Sequence, residues 1–96
     1  MALSMALMDQ DPSVRVQAAR ALERVEGDQA TPALSGVLMG DSDPRVRREA
    51  ARALGAVRSQ EARWSLEAAA LDADQSVRRA AASALARWGK RRANSP

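Results

Sequence analysis

The chain has 96 residues with no cysteine and no histidine, which excludes a disulfide framework and thiolate metal sites and removes the commonest metal ligand and general base. Its 15 basic and 12 acidic residues leave a net charge of +3, and Lys90, Arg91 and Arg92 account for that excess, so the body is neutral. Two tryptophans, no phenylalanine or tyrosine, and many alanines, leucines, arginines and glutamates favour helix over strand.

The opening MALSMALM lacks the basic region and cleavage site of a signal peptide, and no apolar run reaches the ~20 residues of a membrane span; a cytoplasmic protein is expected. Its residues Leu3 to Asp9 align with Leu34 to Asp41, so the chain opens inside the first helix of a unit. The next segment, DQDPSVRVQAARALERV from Asp9 to Val25, carries the helix start signal of an aspartate followed by proline at the first helical position. Val14, Ala18, Ala21, Leu22 and Val25 then form one apolar stripe. A three-turn helix is predicted between Asp28 and Gly40, with Leu34, Val37 and Leu38 on its apolar side.

Asp41 to Val57, DSDPRVRREAARALGAV, spells the Asp9 phrase again 32 residues later, with Val46, Ala50, Ala53, Leu54 and Val57 as the stripe. Ser59 to Leu71 forms the next helix, carrying Ala62, Leu66, Ala69 and Ala70. A looser third copy, DADQSVRRAAASALARWG, begins at Asp72 after a further 31 residues; it keeps Asp74 as a cap but has Gln75 in place of proline. Its stripe is Val77, Ala81, Ala84, Leu85 and Trp88, and Trp88 is expected to fill space at the last unit. Partial burial between helices is expected for Trp64. Gly27, Gly40 and Gly89 fall at or near predicted helix ends, and Gly55 lies inside a helix. Residues 90–96 have no apolar periodicity and read as a basic flexible tail.

A unit of two short amphipathic helices cannot bury its own apolar face, and stacking on similar neighbours buries it. The fold predicted is all-α, an α-solenoid of about two and a half to three helix pairs. The units run at about 1–26, 28–57 and 59–89 of a single domain spanning 1–89.

The phrase D-x-D-P-x-V-R-x-x-A-A-x-A-L, met by Asp9 to Leu22 and Asp41 to Leu54 and, without its proline, by Asp72 to Leu85, resembles the HEAT repeat family in a short bacterial form similar to phycobilisome lyase subunits. The spacing is shorter than the ~40 to 47 residues of longer HEAT units. The resemblance implies a right-handed solenoid whose second helices line a concave face used for protein binding and scaffolding. It also implies that Asp9, Asp41 and Asp72, with Arg15, Arg47 and Arg78 six residues after each, form a ladder across neighbouring repeats that ties the turns together.

Other arginines sit opposite the apolar stripe. At about 100° per residue, Val16, Arg20 and Glu23 share that side in the first copy. Arg48, Arg52 and Gly55 share it in the second, and Arg79, Ser83 and Ala86 in the third. On concave ridges, Arg20, Arg48, Arg52 and Arg79 face one groove with a single acid, Glu23, an asymmetry suited to an acidic protein partner. No catalytic, metal or cofactor residue is assigned: the family's iron-dependent hydroxylases use His-Glu pairs, and every paired aspartate here falls at a turn. The reading is a non-catalytic protein-binding or scaffolding module. Nucleic-acid binding through the same arginines and the basic tail is the alternative, disfavoured because no aromatic interleaves the ridge. Leu3, Met5, Leu7 and Met8 give the first helix an apolar surface suited to homodimer formation, most simply twofold.

Overall fold

The computed structural model describes residues 3–57 and 59–93, with side chains at 5–57 and 59–88. Among the described residues there are six α-helices: α1 (Leu3–Ala6), α2 (Pro12–Glu26), α3 (Thr31–Gly40), α4 (Pro44–Leu54), α5 (Gln60–Ala69) and α6 (Gln75–Ala93). A 3-10 turn over Gly27–Ala30 leads into α3. Among the described residues there is no strand, and the fold is a small all-α solenoid.

Short-range chemistry sets where each second helix begins. The carboxylate of Asp11 accepts the Ser13 N–H at 2.9 Å, that of Asp43 accepts the Arg45 N–H at 2.8 Å, and that of Asp74 accepts the Ser76 N–H at 2.8 Å. Each satisfies a backbone donor that the helix leaves without an internal partner. The third cap forms without a following proline, so the aspartate is the essential part of the signal. Ser59 caps α5 through the Ala62 N–H at 3.0 Å. Gly27, at φ 57, turns the chain out of α2, a backbone conformation open to glycine at little cost.

The helices pair as α1 with α2, α3 with α4, and α5 with α6. In one layer α3 packs on α5; in the other α2 packs on α4 and α4 on α6. The layers close on one apolar core containing Leu22, Leu34, Leu38, Leu54, Leu66, Val46, Val57 and Val77, all fully buried. Hydroxyl contacts also join the α3 and α5 layer, with Ser65 Oγ donating to Ser35 Oγ at 2.8 Å. The molecule is elongated, 43 × 28 × 16 Å, as expected when each unit meets only its neighbours.

Several positions differ from what the sequence pattern predicts. Val14 and Val25 are 37 and 73 % exposed, whereas Val46 and Val57 are at 0 and 1 %. Units on both sides seal the α4 stripe, while the outer side of α2 meets only the four-residue α1 among the described residues. Trp64 is 62 % exposed: it stands about 200° from Ala62 and Leu66, the buried residues of α5, and so on the opposite face. Gly89 does not end α6, which runs on to Ala93; lysine, arginine and alanine are good helix formers. Gly55 lies at the C-cap of α4 with φ −66, so its missing side chain serves helix packing.

A candidate binding groove between the second helices

The repeated aspartates and arginines occupy equivalent places at the turns. Asp41 folds back so that Oδ1 accepts the Asp43 N–H at 2.9 Å; Asp72 does the same with the Asp74 N–H at 2.9 Å, and Asp9 with the Asp11 N–H at 2.8 Å. The carboxylates are thereby pre-oriented. Arg15 Nε and Nη2 donate to Asp41 at 2.8 and 3.0 Å. Arg47 Nε and Nη2 donate to Asp72 at 3.0 and 3.1 Å. The remaining Nη1 reaches back along its own turn, from Arg15 to the Asp9 carbonyl at 2.7 Å and from Arg47 to the Asp41 carbonyl at 2.8 Å.

These are two-pronged pairs largely removed from water, with side-chain exposures of 12 and 7 % for Arg15–Asp41 and 15 and 13 % for Arg47–Asp72. The Asp41 hydrogen bonds push Arg15 above its ordinary range, and those of Asp72 do the same to Arg47. The Arg47 guanidinium in turn holds Asp72 below the usual carboxylate range. Arginines engaged in this way fix one repeat on the next. Arg78 Nη1 makes the same backward reach, to the Asp72 and Ala73 carbonyls at 2.7 and 3.0 Å, but no carboxylate of the described residues meets its other nitrogens, and no described arginine meets the Asp9 carboxylate.

The four ridge arginines line clefts on the surface of α2, α4 and α6. The larger cleft, about 640 Å³ between α4 and α6, is bordered by Arg48, Arg52, Arg79 and Arg87, with Ser76, Ser83 and the methyl groups of Ala80 and Ala86 between them. A smaller one of about 200 Å³ between α2 and α4 is bordered by Arg20, Arg45, Arg48 and Glu49. Arg87 is absent from the predicted ridge, though it stands at i+8 from Arg79 and so shares its face.

Glu49 corrects the charge pattern more substantially. The ridge reading leaves Glu23 as its single acid, yet Glu49 lies in the α2–α4 cleft with its side chain 8 % exposed. It forms an ion pair with Arg20 Nε at 3.2 Å and accepts a hydrogen bond from Arg52 Nη1 at 2.9 Å. The Arg52 pair is an i, i+3 contact that the sequence could have shown; the Arg20 pair crosses between repeats and could not. The groove is therefore uneven. Arg20 and Arg52 are compensated, whereas Arg48, Arg79 and Arg87 have no ion pair among the described residues.

On the first helix Met5 and Met8 are 62 and 83 % exposed, Leu7 packs against the core, and the side chain of Leu3 lies outside the described residues, as do those of Lys90, Arg91 and Arg92. Among the described residues no three acidic side chains gather in a way that could hold a metal ion, and no helix is long and apolar enough to cross a membrane. Comparison with protein families matches residues 1–94 to the model described as HEAT repeats. No curated protein matches the chain.

Proposed function

From the membership of this chain in the HEAT repeat family, whose repeats are commonly protein-interaction scaffolds and typically non-catalytic, we propose that it is a protein-binding module. Its partner lies along α2, α4 and α6 and presents acidic side chains to the α4–α6 cleft. One observation carries this reading: Arg48, Arg79 and Arg87 border about 640 Å³ of cleft with no ion pair among the described residues, beside the alanine methyls of α6, although Glu49 lines the neighbouring clefts with Arg48 and Arg87. Such a surface suits a segment with carboxylates on one edge and small apolar groups on another. Within the family, the 31- and 32-residue spacing supports the short bacterial type similar to phycobilisome lyase subunits.

The test uses an acidic helical peptide with glutamates at i and i+4, titrated by fluorescence anisotropy. Replacing Arg48, Arg52 and Arg79 together by Glu is expected to weaken binding by more than ~100-fold while leaving the helical circular dichroism intact. Unchanged affinity in the folded triple variant overturns the reading. A single-stranded oligonucleotide that binds more tightly than the peptide, with affinity falling steeply as salt is raised, would transfer the groove to nucleic acid.

Glu49 supplies a second check with the opposite sign. Glu49→Gln keeps the shape of the side chain and removes the charge compensating Arg20 and Arg52. Peptide affinity is expected to rise about tenfold at low salt, from loss of one like charge a few ångströms from the ligand carboxylates. An unchanged or lowered affinity means that the acidic edge of the peptide does not lie over α4.

A further inference from the structure

Among the described residues, the repeat-to-repeat ladder has a donor left over at one end of the molecule and an acceptor left over at the other. Each internal junction uses the same parts: an aspartate held by the N–H two residues on, and an arginine whose Nη1 is anchored to its own turn while Nε and Nη2 grip the aspartate of the next repeat. Arg78 is anchored to the Asp72 and Ala73 carbonyls in the manner of Arg15 and Arg47, with Nε and Nη2 meeting no carboxylate of the described residues. Asp9 is held by the Asp11 N–H in the manner of Asp41 and Asp72, with no described arginine on it. Both halves of a junction are thus pre-formed, on opposite ends of the chain.

The apolar surfaces beside them match in the same way. Ala19 and Ala51, the small residues on which the next repeat stacks, are fully buried, whereas the equivalent Ala82 on α6 is exposed. Val46 and Val57, which receive the preceding repeat, are sealed, whereas Val14 and Val25 on α2 are open to solvent.

We infer that a second copy of this chain docks head to tail, its Asp9 turn and α2 face received by Arg78 and the α6 face of the first. The junction repeats those that join α2 to α4 and α4 to α6. The occupant follows from charge complementarity and from continuity with the internal repeat interfaces: the spare donor and the spare acceptor are those that already recognise each other twice within the molecule. A contact of this kind is heterologous. The first copy keeps a spare Asp9 and the second a spare Arg78, so association continues past the dimer, and the groove along α2, α4 and α6 lengthens with each copy added. Twofold pairing through the first helix would instead stop at two.

The test is sedimentation equilibrium of the full chain over a range of micromolar concentrations. The wild type is expected to show an average mass that climbs with concentration beyond that of a dimer. Asp9→Arg and Arg78→Asp are each expected to remain monomeric, because like charges then face one another at every junction. An equimolar mixture of the two is expected to regain association. In it, the carboxylate introduced by Arg78→Asp meets the guanidinium introduced by Asp9→Arg, and the junction formed by the other two ends is native. Asp9→Asn keeps an acceptor for the Asp11 N–H and so preserves the turn should Asp9→Arg fray it; its dissociation constant is expected to rise about tenfold. A chain monomeric throughout overturns the inference, as does a closed dimer indifferent to Arg78→Asp. Folded single variants that fail to associate when mixed overturn it as well.

Discussion

Asp72→Ala is expected to lower the free energy of unfolding by about 2–4 kcal/mol, measured by urea denaturation. The carboxylate accepts Arg47 Nε and Nη2 and the Asp74 N–H, so its removal leaves a guanidinium 15 % exposed without its counter-charge and a turn N–H without its acceptor. Arg47→Ala is expected to cost about 1–3 kcal/mol. Arg48→Ala, one residue along, should change stability by less than about 0.5 kcal/mol, because Arg48 is exposed and has no ion pair among the described residues. Losses in Arg47→Ala and Arg48→Ala that are equal would mean that the Arg47–Asp72 junction does not hold the repeats together. A double-mutant cycle on Arg47 and Asp72 isolates the pair, with a coupling of about 1–3 kcal/mol expected.

The same junction should make the fold acid-labile. Arg47 depresses the folded-state value of Asp72 below the usual carboxylate range, and Arg45 lowers Asp43 to about 2. A carboxyl depressed on folding contributes stability that is full above its unfolded value and is lost as pH falls through its folded value. The unfolding free energy is therefore expected to be flat above about pH 5 and to decline progressively below about pH 4. Asp72→Ala lacks one contributor and should show a shallower decline.

What the sequence makes legible here is whatever lies within one helix or at its end. Asp11, Asp43 and Asp74 are recognisable as caps because the aspartate and the N–H it accepts are at most three residues apart, and Val46, Ala50 and Leu54 as core because their spacing places them on one face. Trp64 is readable on the same terms: about 200° from Ala62 and Leu66, it faces away from the core, and only its apolar bulk argues otherwise. What a residue meets on the neighbouring helix is not written in its own helix's period. Glu49 is legible as an i, i+3 partner of Arg52, but its pairing with Arg20 depends on how closely α2 approaches α4. The exposure of Val25 likewise depends on which helix covers α2, since the residue obeys the same pattern as the sealed Val57.

Gly55 takes that limit to its largest consequence, and Gly55→Ala is expected to destabilise the chain by about 1–3 kcal/mol. By the pattern alone, a glycine inside a helical stretch is a weak point, and alanine there should stabilise by about 0.4–1 kcal/mol through loss of unfolded-state freedom. Its φ of −66 would accept alanine without strain. The obstacle is α6: a Cβ at Gly55 would stand 2.7 Å from the Ala84 Cβ and 2.8 Å from Arg87 Nη2. The arginine can swing away because its far end is flexible, but Ala84 Cβ is fixed to the α6 backbone and fully buried, so the helices must separate. Separation loosens the contact that defines the α4–α6 cleft, and the variant should also lose affinity for an acidic peptide despite keeping every groove arginine. Pairing Gly55→Ala with Ala84→Gly removes the collision. Ala84→Gly alone should cost about 1 kcal/mol in helix propensity, and the double variant should be more stable than the sum of the two losses by at least about 1 kcal/mol. Additive losses in urea, or a Gly55→Ala chain as stable as the wild type, would mean that α4 and α6 are not held this close by the absence of a side chain at position 55.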